Sequence, residues 1–189
     1  GSSCRHVATV AGLRRGGFDV ASLVSFPTGQ PYAVSYTSTQ PVGVNIASQT
    51  EGEEAGSVLA PQASTQWLFA EGFRPVGEPG ATSAVTEYLK LYNPSAVATT
   101  IEITLNYNNG DHETFRSNLP SRAGIRIDIH SLVTGTKATL GTVEGVGSFY
   151  GVKVQSAVPI VAFAGHFDDF LGGGFGTLGT PLGSLGTAG

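Results

Sequence analysis

Three stretches near the start of this chain recur, in the same order, in its last third. Gly17-Phe18-Asp19-Val20-Ala21-Ser22-Leu23-Val24 lines up with Arg126-Ile127-Asp128-Ile129-His130-Ser131-Leu132-Val133 at an offset of 109. Tyr32-Ala33-Val34-Ser35-Tyr36-Thr37-Ser38-Thr39-Gln40-Pro41-Val42 matches Tyr150-Gly151-Val152-Lys153-Val154-Gln155-Ser156-Ala157-Val158-Pro159-Ile160 at 118, and Gly56-Ser57-Val58-Leu59-Ala60-Pro61 matches Gly176-Thr177-Leu178-Gly179-Thr180-Pro181 at 120. The offset grows where the second copy carries a longer Gly/Thr loop, Gly135 to Ser148. A repeat constrains a fold more than any local pattern, because each copy is one structural unit that must bury its own apolar face. The intervening Thr65-Gln66-Trp67-Leu68-Phe69-Ala70-Glu71-Gly72-Phe73 holds the one tryptophan and occurs once. Residues 1–64 therefore read as the second half of a unit, and residues 65–189 as a complete unit with a Gly-rich C-terminal tail.

Within the complete unit, short runs alternate apolar and polar residues. Ile101, Ile103, Leu105 and Tyr107 fall on one face of a strand, and Glu102, Thr104 and Asn106 on the other. Asn109-Gly110 suits a tight hairpin turn, with Asp111 to Ser117 returning as the partner strand. Ile125, Ile127 and Ile129 repeat the alternation. Val152 and Val154 predict another strand, and Pro159 to Ala164 another, with proline at its start where no ladder donor is lost. Val85, Tyr88, Leu89 and Tyr92 also fit helical spacing. The run is short, aromatic-rich and stopped by Asn93-Pro94, which favours a strand over Thr86 to Tyr92. Together with Trp67 to Phe69 these make about seven strands, the signature of an all-β, antiparallel, Ig-like two-sheet sandwich without the Ig cysteine pair.

The 27 Gly and 10 Pro, with only 13% charged residues, agree with strands and turns. A net charge of −4 gives no electrostatic reason to bind nucleic acid or anionic lipid. Cys4 alone makes no internal disulfide framework and no multi-cysteine zinc site. No apolar run reaches the roughly 18 residues of a membrane span. The N-terminal residues lack the order of a signal peptide, which leaves a signal upstream open.

Trp67-Leu68-Phe69-Ala70-Glu71-Gly72, then Glu87-Tyr88-Leu89-Lys90-Leu91-Tyr92-Asn93-Pro94, a hairpin, an I-x-I-D-I strand and V-x-V-x-S-x-x-P-I-V resemble a tandem module of bacterial cell-surface and secreted proteins. The hallmark of that module is W-x-F-A-E-G followed by L-x-L-x-N-P. The resemblance covers residues 65–170 fully and residues 7–50 in their second half only. It implies a β-sandwich used in extracellular or cell-surface arrays and implies no enzyme activity.

Trp67, Phe69, Glu71, Gly72, Asn93 and Pro94 are the expected structural and junction residues, with Trp67 buried and Glu71 bonded to neighbouring backbone amides. Tyr88, Lys90 and Tyr92 share one face of their strand, opposite Leu89 and Leu91, and with Tyr107 are candidates for a sugar-binding platform. In Gly165-His166-Phe167-Asp168-Asp169-Phe170, Asp168 and Asp169 are weak candidate calcium ligands, but the spacing fits no recognised loop and solvated loop charges explain them. Asn108-Asn109-Gly110-Asp111 lacks the closing glutamate of a calcium turn. No G-x-S-x-G or H-E-x-x-H motif is present, and Gly172 to Gly176 opens no helix, so it reads as a connector with Phe175 against a sheet edge. Neither a catalytic residue nor a cofactor is expected.

A half sandwich leaves an apolar face uncovered and strand edges unpaired. Either residues 1–64 pack as a smaller sheet on the complete unit, or a neighbouring chain or module supplies the missing strands. The second route makes the chain a non-catalytic structural subunit of an extracellular array or filament. A carbohydrate-binding or adhesive module is the alternative.

Overall fold

The computed structural model describes residues 4–23, 32–50, 53–75, 85–132, 142–143, 147–168 and 173–182. The chain forms two compact units, residues 1–32 and 33–189. Residues 33–64 belong to the larger unit. In the smaller unit one helical turn, α1 (Val20–Leu23), is opened by Asp19, whose Oδ1 accepts from the Ala21 amide at 2.9 Å. A short polar side chain at this position satisfies an amide that has no partner within the helix.

The larger unit begins with an antiparallel hairpin, β1 (Asn45–Thr50) and β2 (Glu53–Val58). Then come β3 (Ser64–Phe69), β4 (Phe73–Pro75), β5 (Val85–Asn93), β6 (Thr99–Tyr107), β7 (His112–Leu119) and β8 (Ala123–Asp128). One turn of helix, α2 (Ile129–Leu132), precedes β9 (Thr142–Val143), the long β10 (Gly147–Asp168), β11 (Gly173–Leu178) and β12 (Thr180–Pro181). Every strand pairing among the described residues is antiparallel.

β10 is the spine. Its first part lies between β3 and β6, with Val154 opposite both Trp67 and Ile103. Its second part lies between β5 and β11, with Phe163 opposite both Lys90 and Leu178. The pairing with β3 is irregular between Gln155 and Ile160, and Pro159 falls inside that break. The two strands expected at Val152 and at Pro159 are thus one strand serving two groups of partners. Proline, which has no amide proton, occupies the place where the ladder changes partner. β7 extends the first group beyond β6, β12 extends it beyond β3, and β8 extends the second beyond β5.

The two groups enclose one core in a sandwich-like arrangement. Trp67 and Phe69 of β3, Ile101, Ile103 and Leu105 of β6, Leu89 and Leu91 of β5, and Val152, Val154, Ile160 and Ala162 of β10 are all buried in it. Each fully buried aliphatic side chain of this kind contributes about 1.5–3 kcal/mol over an exposed one. The period-2 pattern of β6 places its apolar residues inward as the alternation dictates. At the β6–β7 turn, Gly110 takes a φ of 90° and its amide donates to the Tyr107 carbonyl at 3.0 Å.

Two expectations change. Ile129 does not continue the strand of Ile125 and Ile127; it starts α2 and is buried there, because Asp128 Oδ1 caps the His130 amide at 3.0 Å and turns the chain. The described part of the glycine-rich segment is not a connector. Residues 173–178 pair with β10 from Phe163 to Asp168, and the ladder outweighs the low strand propensity of glycine.

Candidate functional site

β5 carries a carboxylate on its buried face. Glu87 alternates with Val85, Leu89 and Leu91 and is buried like them. Its Oε1 accepts from the Phe73 amide at 2.7 Å and lies 2.8 Å from His166 Nδ1. Its Oε2 accepts from the Tyr150 hydroxyl and is 3.9 Å from His130 Nε2. His130 Nε2 is also 3.2 Å from the Phe73 carbonyl, and the His166 ring stacks on Phe175 at 5.2 Å. A charge taken out of water is tolerated only with such partners. The partners come from β4, β10 and α2, so the network ties β5 to these strands and to the helical turn. Among the described residues no group of three His, Cys, Asp or Glu is arranged to hold a metal ion. An open cleft of about 270 Å³ lies beside Tyr107 and Tyr150, whose rings meet edge to face at 5.8 Å, with Glu71 on its lining.

Glu71 is exposed, and the Phe73 amide two residues on donates to Glu87. Gly72 sits under the Tyr150 ring, where a Cβ would come within 2.2 Å of Cε2, and its carbonyl accepts from the Tyr150 amide at 2.9 Å. Trp67 is fully buried, with Nε1 donating to the Ile160 carbonyl at 2.9 Å. Asn93 is fully buried too. Its Nδ2 donates to the carbonyls of Val97 and Pro120 at 2.8 and 3.2 Å, and its Oδ1 accepts from the Ser95 amide at 2.9 Å. The exposed Pro94 follows it at the end of β5.

Of the four candidate sugar-platform residues, Lys90 is exposed, Tyr92 half-buried, and Tyr88 and Tyr107 buried. The Arg126 guanidinium lies 4.3 Å over the Tyr88 ring, and Phe167 stacks near it at 5.9 Å. Burial pushes the Tyr88 phenol up, with Arg126 pulling the other way, and burial with help from Arg126 lowers the Lys90 ammonium. Asp168 ends β10 opposite Val85 and Gly173, and Asp169 lies outside the described residues.

The matched stretches correspond in geometry as well as in sequence. Ser22 Oγ donates to the Asp19 carbonyl, and Ser131 Oγ to that of Asp128, both at 2.7 Å. Ser38 Oγ donates to the Gln40 carbonyl as Ser156 Oγ does to Val158, both at 2.6 Å. The Leu59 amide donates to the Val44 carbonyl at 3.1 Å, and the Gly179 amide to that of Ala162 at 3.2 Å. The β1–β2 register, Asn45 opposite Val58 through Thr50 opposite Glu53, is that of Phe163 opposite Leu178 through Asp168 opposite Gly173.

One segment departs from this correspondence. Residues 150–160 lie in β10, whereas residues 33–44 lie outside every strand. Val152, Val154 and Ile160 are 3%, 0% and 0% exposed, and their counterparts Val34, Tyr36 and Val42 are 40%, 43% and 44% exposed. The strands that cover β10 here, β3, β5 and β6, come from the part of the sequence that occurs once. The polar network is likewise confined to one copy, since Ala21 and Ser48 stand in the places of His130 and His166.

No protein-family model matches the chain, and no curated protein matches it. Among solved structures, the crystal structure of Thermotoga maritima 1070 is similar at 18% identity and a TM-score of 0.49, covering 63% of this chain and 95% of that one. The Anabaena sensory rhodopsin transducer is similar at 23% identity and a TM-score of 0.42, covering 54% of this chain and 87% of that one.

Proposed function

We propose that this chain is a non-catalytic structural module of an extracellular or cell-surface array, an Ig-like sandwich whose preceding half-unit is completed by strands from a neighbouring module or chain. The contrast between Val34, Tyr36 and Val42 and their buried counterparts in β10 carries this reading. Apolar residues spaced for a buried strand, left in water, mark a surface that associates. The Glu87 network fits a structural part, because the buried carboxylate has its oxygens engaged by Phe73, His166 and Tyr150 within the fold.

Amide hydrogen exchange on the isolated chain tests it. Residues 33–44 are expected to exchange as open chain while residues 150–162 are protected. Equal protection of both segments in a monomer would mean that the first half closes on itself, and the reading would be lost.

A further inference from the structure

The sequence holds one front half, residues 65–119, and two back halves, residues 17–61 and 126–181. In the structure the front half covers the second back half. In the first back half, β2 lies against β11 and Ala60 packs on the core, while residues 33–44 lie outside every strand with Val34, Tyr36 and Val42 exposed.

The back halves also differ where the front half touches them. A Cβ on Gly179 would lie 2.7 Å from Phe69 Cζ and 3.1 Å from Trp67 Cε3, and a Cβ on Gly165 would lie 2.4 Å from Tyr88 Cζ. The first back half carries Leu59 at the place of Gly179 and Ala47 at the place of Gly165. The rings of Phe69 and Tyr88 thus need space that this half does not have, and repulsion of the wrong partner is a source of specificity. The β6 contact carries no such conflict. In the register of β10, Val34 would face a residue like Leu105, and Tyr36 one like Ile103.

We propose that residues 33–50 and 53–61 are the acceptor for a front half of the same module that bears small side chains where this chain has Phe69 and Tyr88. This rests on the structural reading above and names its partner. The donor supplies an alternating apolar strand that pairs with residues 34–38, with main-chain bonds giving affinity and the small side chains giving selectivity.

The test uses the intact chain and a synthetic β6–β7 hairpin of residues 99–119, which lacks both excluding rings. Binding is read by fluorescence anisotropy and by amide exchange. The hairpin is expected to bind and to slow exchange over residues 34–38, and Val34→Asp with Tyr36→Asp, both on exposed side chains, is expected to weaken it at least about tenfold, a 1.4 kcal/mol change. Absence of binding, or binding unaffected by the double variant, overturns the acceptor. In a second arm, Leu59→Gly with Ala47→Gly is expected to admit the chain's own front half and give exchanged dimers at concentrations where the parent stays monomeric. Parent chains that exchange as readily overturn the selectivity. Residues 33–44 open in the isolated chain with no hairpin bound would sink this proposal alone; residues 33–44 already protected would sink the structural reading beneath it.

Discussion

Val42 and Ile160 follow the matched prolines Pro41 and Pro159, yet Ile160 is fully buried with its carbonyl bonded to Trp67 Nε1, while Val42 is 44% exposed. The same local sequence is a core strand in one copy and open chain in the other, because only one copy has β3, β5 and β6 beside it. Ile160→Ala should cost about 2–5 kcal/mol by leaving a cavity. Val42→Ala should stay within about 0.5 kcal/mol, as exposed substitutions do. Urea denaturation of the two variants measures the difference; equal costs would place both residues in a core.

Glu87 holds three donors from three directions, so its removal should be felt more than that of any one partner. Tyr150→Phe should cost about 1.5–3 kcal/mol, the worth of a hydrogen bond to a charged group. Glu87→Ala should cost more than Tyr150→Phe, since it leaves the Phe73 amide and the Tyr150 hydroxyl buried without their acceptor. A double-mutant cycle between the two positions should be strongly non-additive, and additivity would refute the network.

Asn93 bridges the end of β5 to the turn before β6 and to the turn after β7 through the Val97 and Pro120 carbonyls. Asn93→Asp keeps the shape and replaces the amide donor with an acceptor facing two carbonyls. Both Asn93→Asp and Asn93→Ala should cost about 1–3 kcal/mol or more, the penalty of unsatisfied buried groups, with Asp no better than Ala at neutral pH. Thermal melts of the pair decide it.

Gly179→Ala places a methyl group against the Phe69 and Trp67 rings and should cost about 1–3 kcal/mol as overpacking. Phe69→Leu in the same chain should reduce that cost. Failure of the smaller side chain to relieve it would mean that the clash is not with Phe69.

Tyr88 links stability to alkaline pH. Its phenol is pushed up from 10.0 chiefly by burial, against the opposing pull of Arg126, so the folded state holds the proton more tightly than the unfolded one. Its contribution is full below pH 10 and is lost as pH rises through the raised folded value. The stability difference between the parent and Tyr88→Phe should therefore be constant from pH 7 to about 9.5 and shift in favour of the phenylalanine variant above that. Denaturation series at the two ends test this, and a difference independent of pH would exclude a buried Tyr88.

Period-2 alternation marked β6, β7 and the Val152–Val154 part of β10 because each buries one face and wets the other. The recurring stretches were legible for a related reason: the Asp19 and Asp128 caps, the Ser38 and Ser156 turns and the two hairpins are local devices whose hydrogen bonds close within a few residues, or between adjacent strands. Glu87 left a signal, a charge on the apolar face of β5, but its partners Phe73, His130, Tyr150 and His166 are distant in sequence, and no local spacing joins them. The union of two expected strands in β10 and the pairing of a glycine-rich segment as β11 were likewise decided by tertiary neighbours. The sequence by itself marked the alternating strands, the β6–β7 turn and the recurring stretches. Only the tertiary structure decided which copy is covered, since burial depends on a partner strand being present and not on the residues that await it.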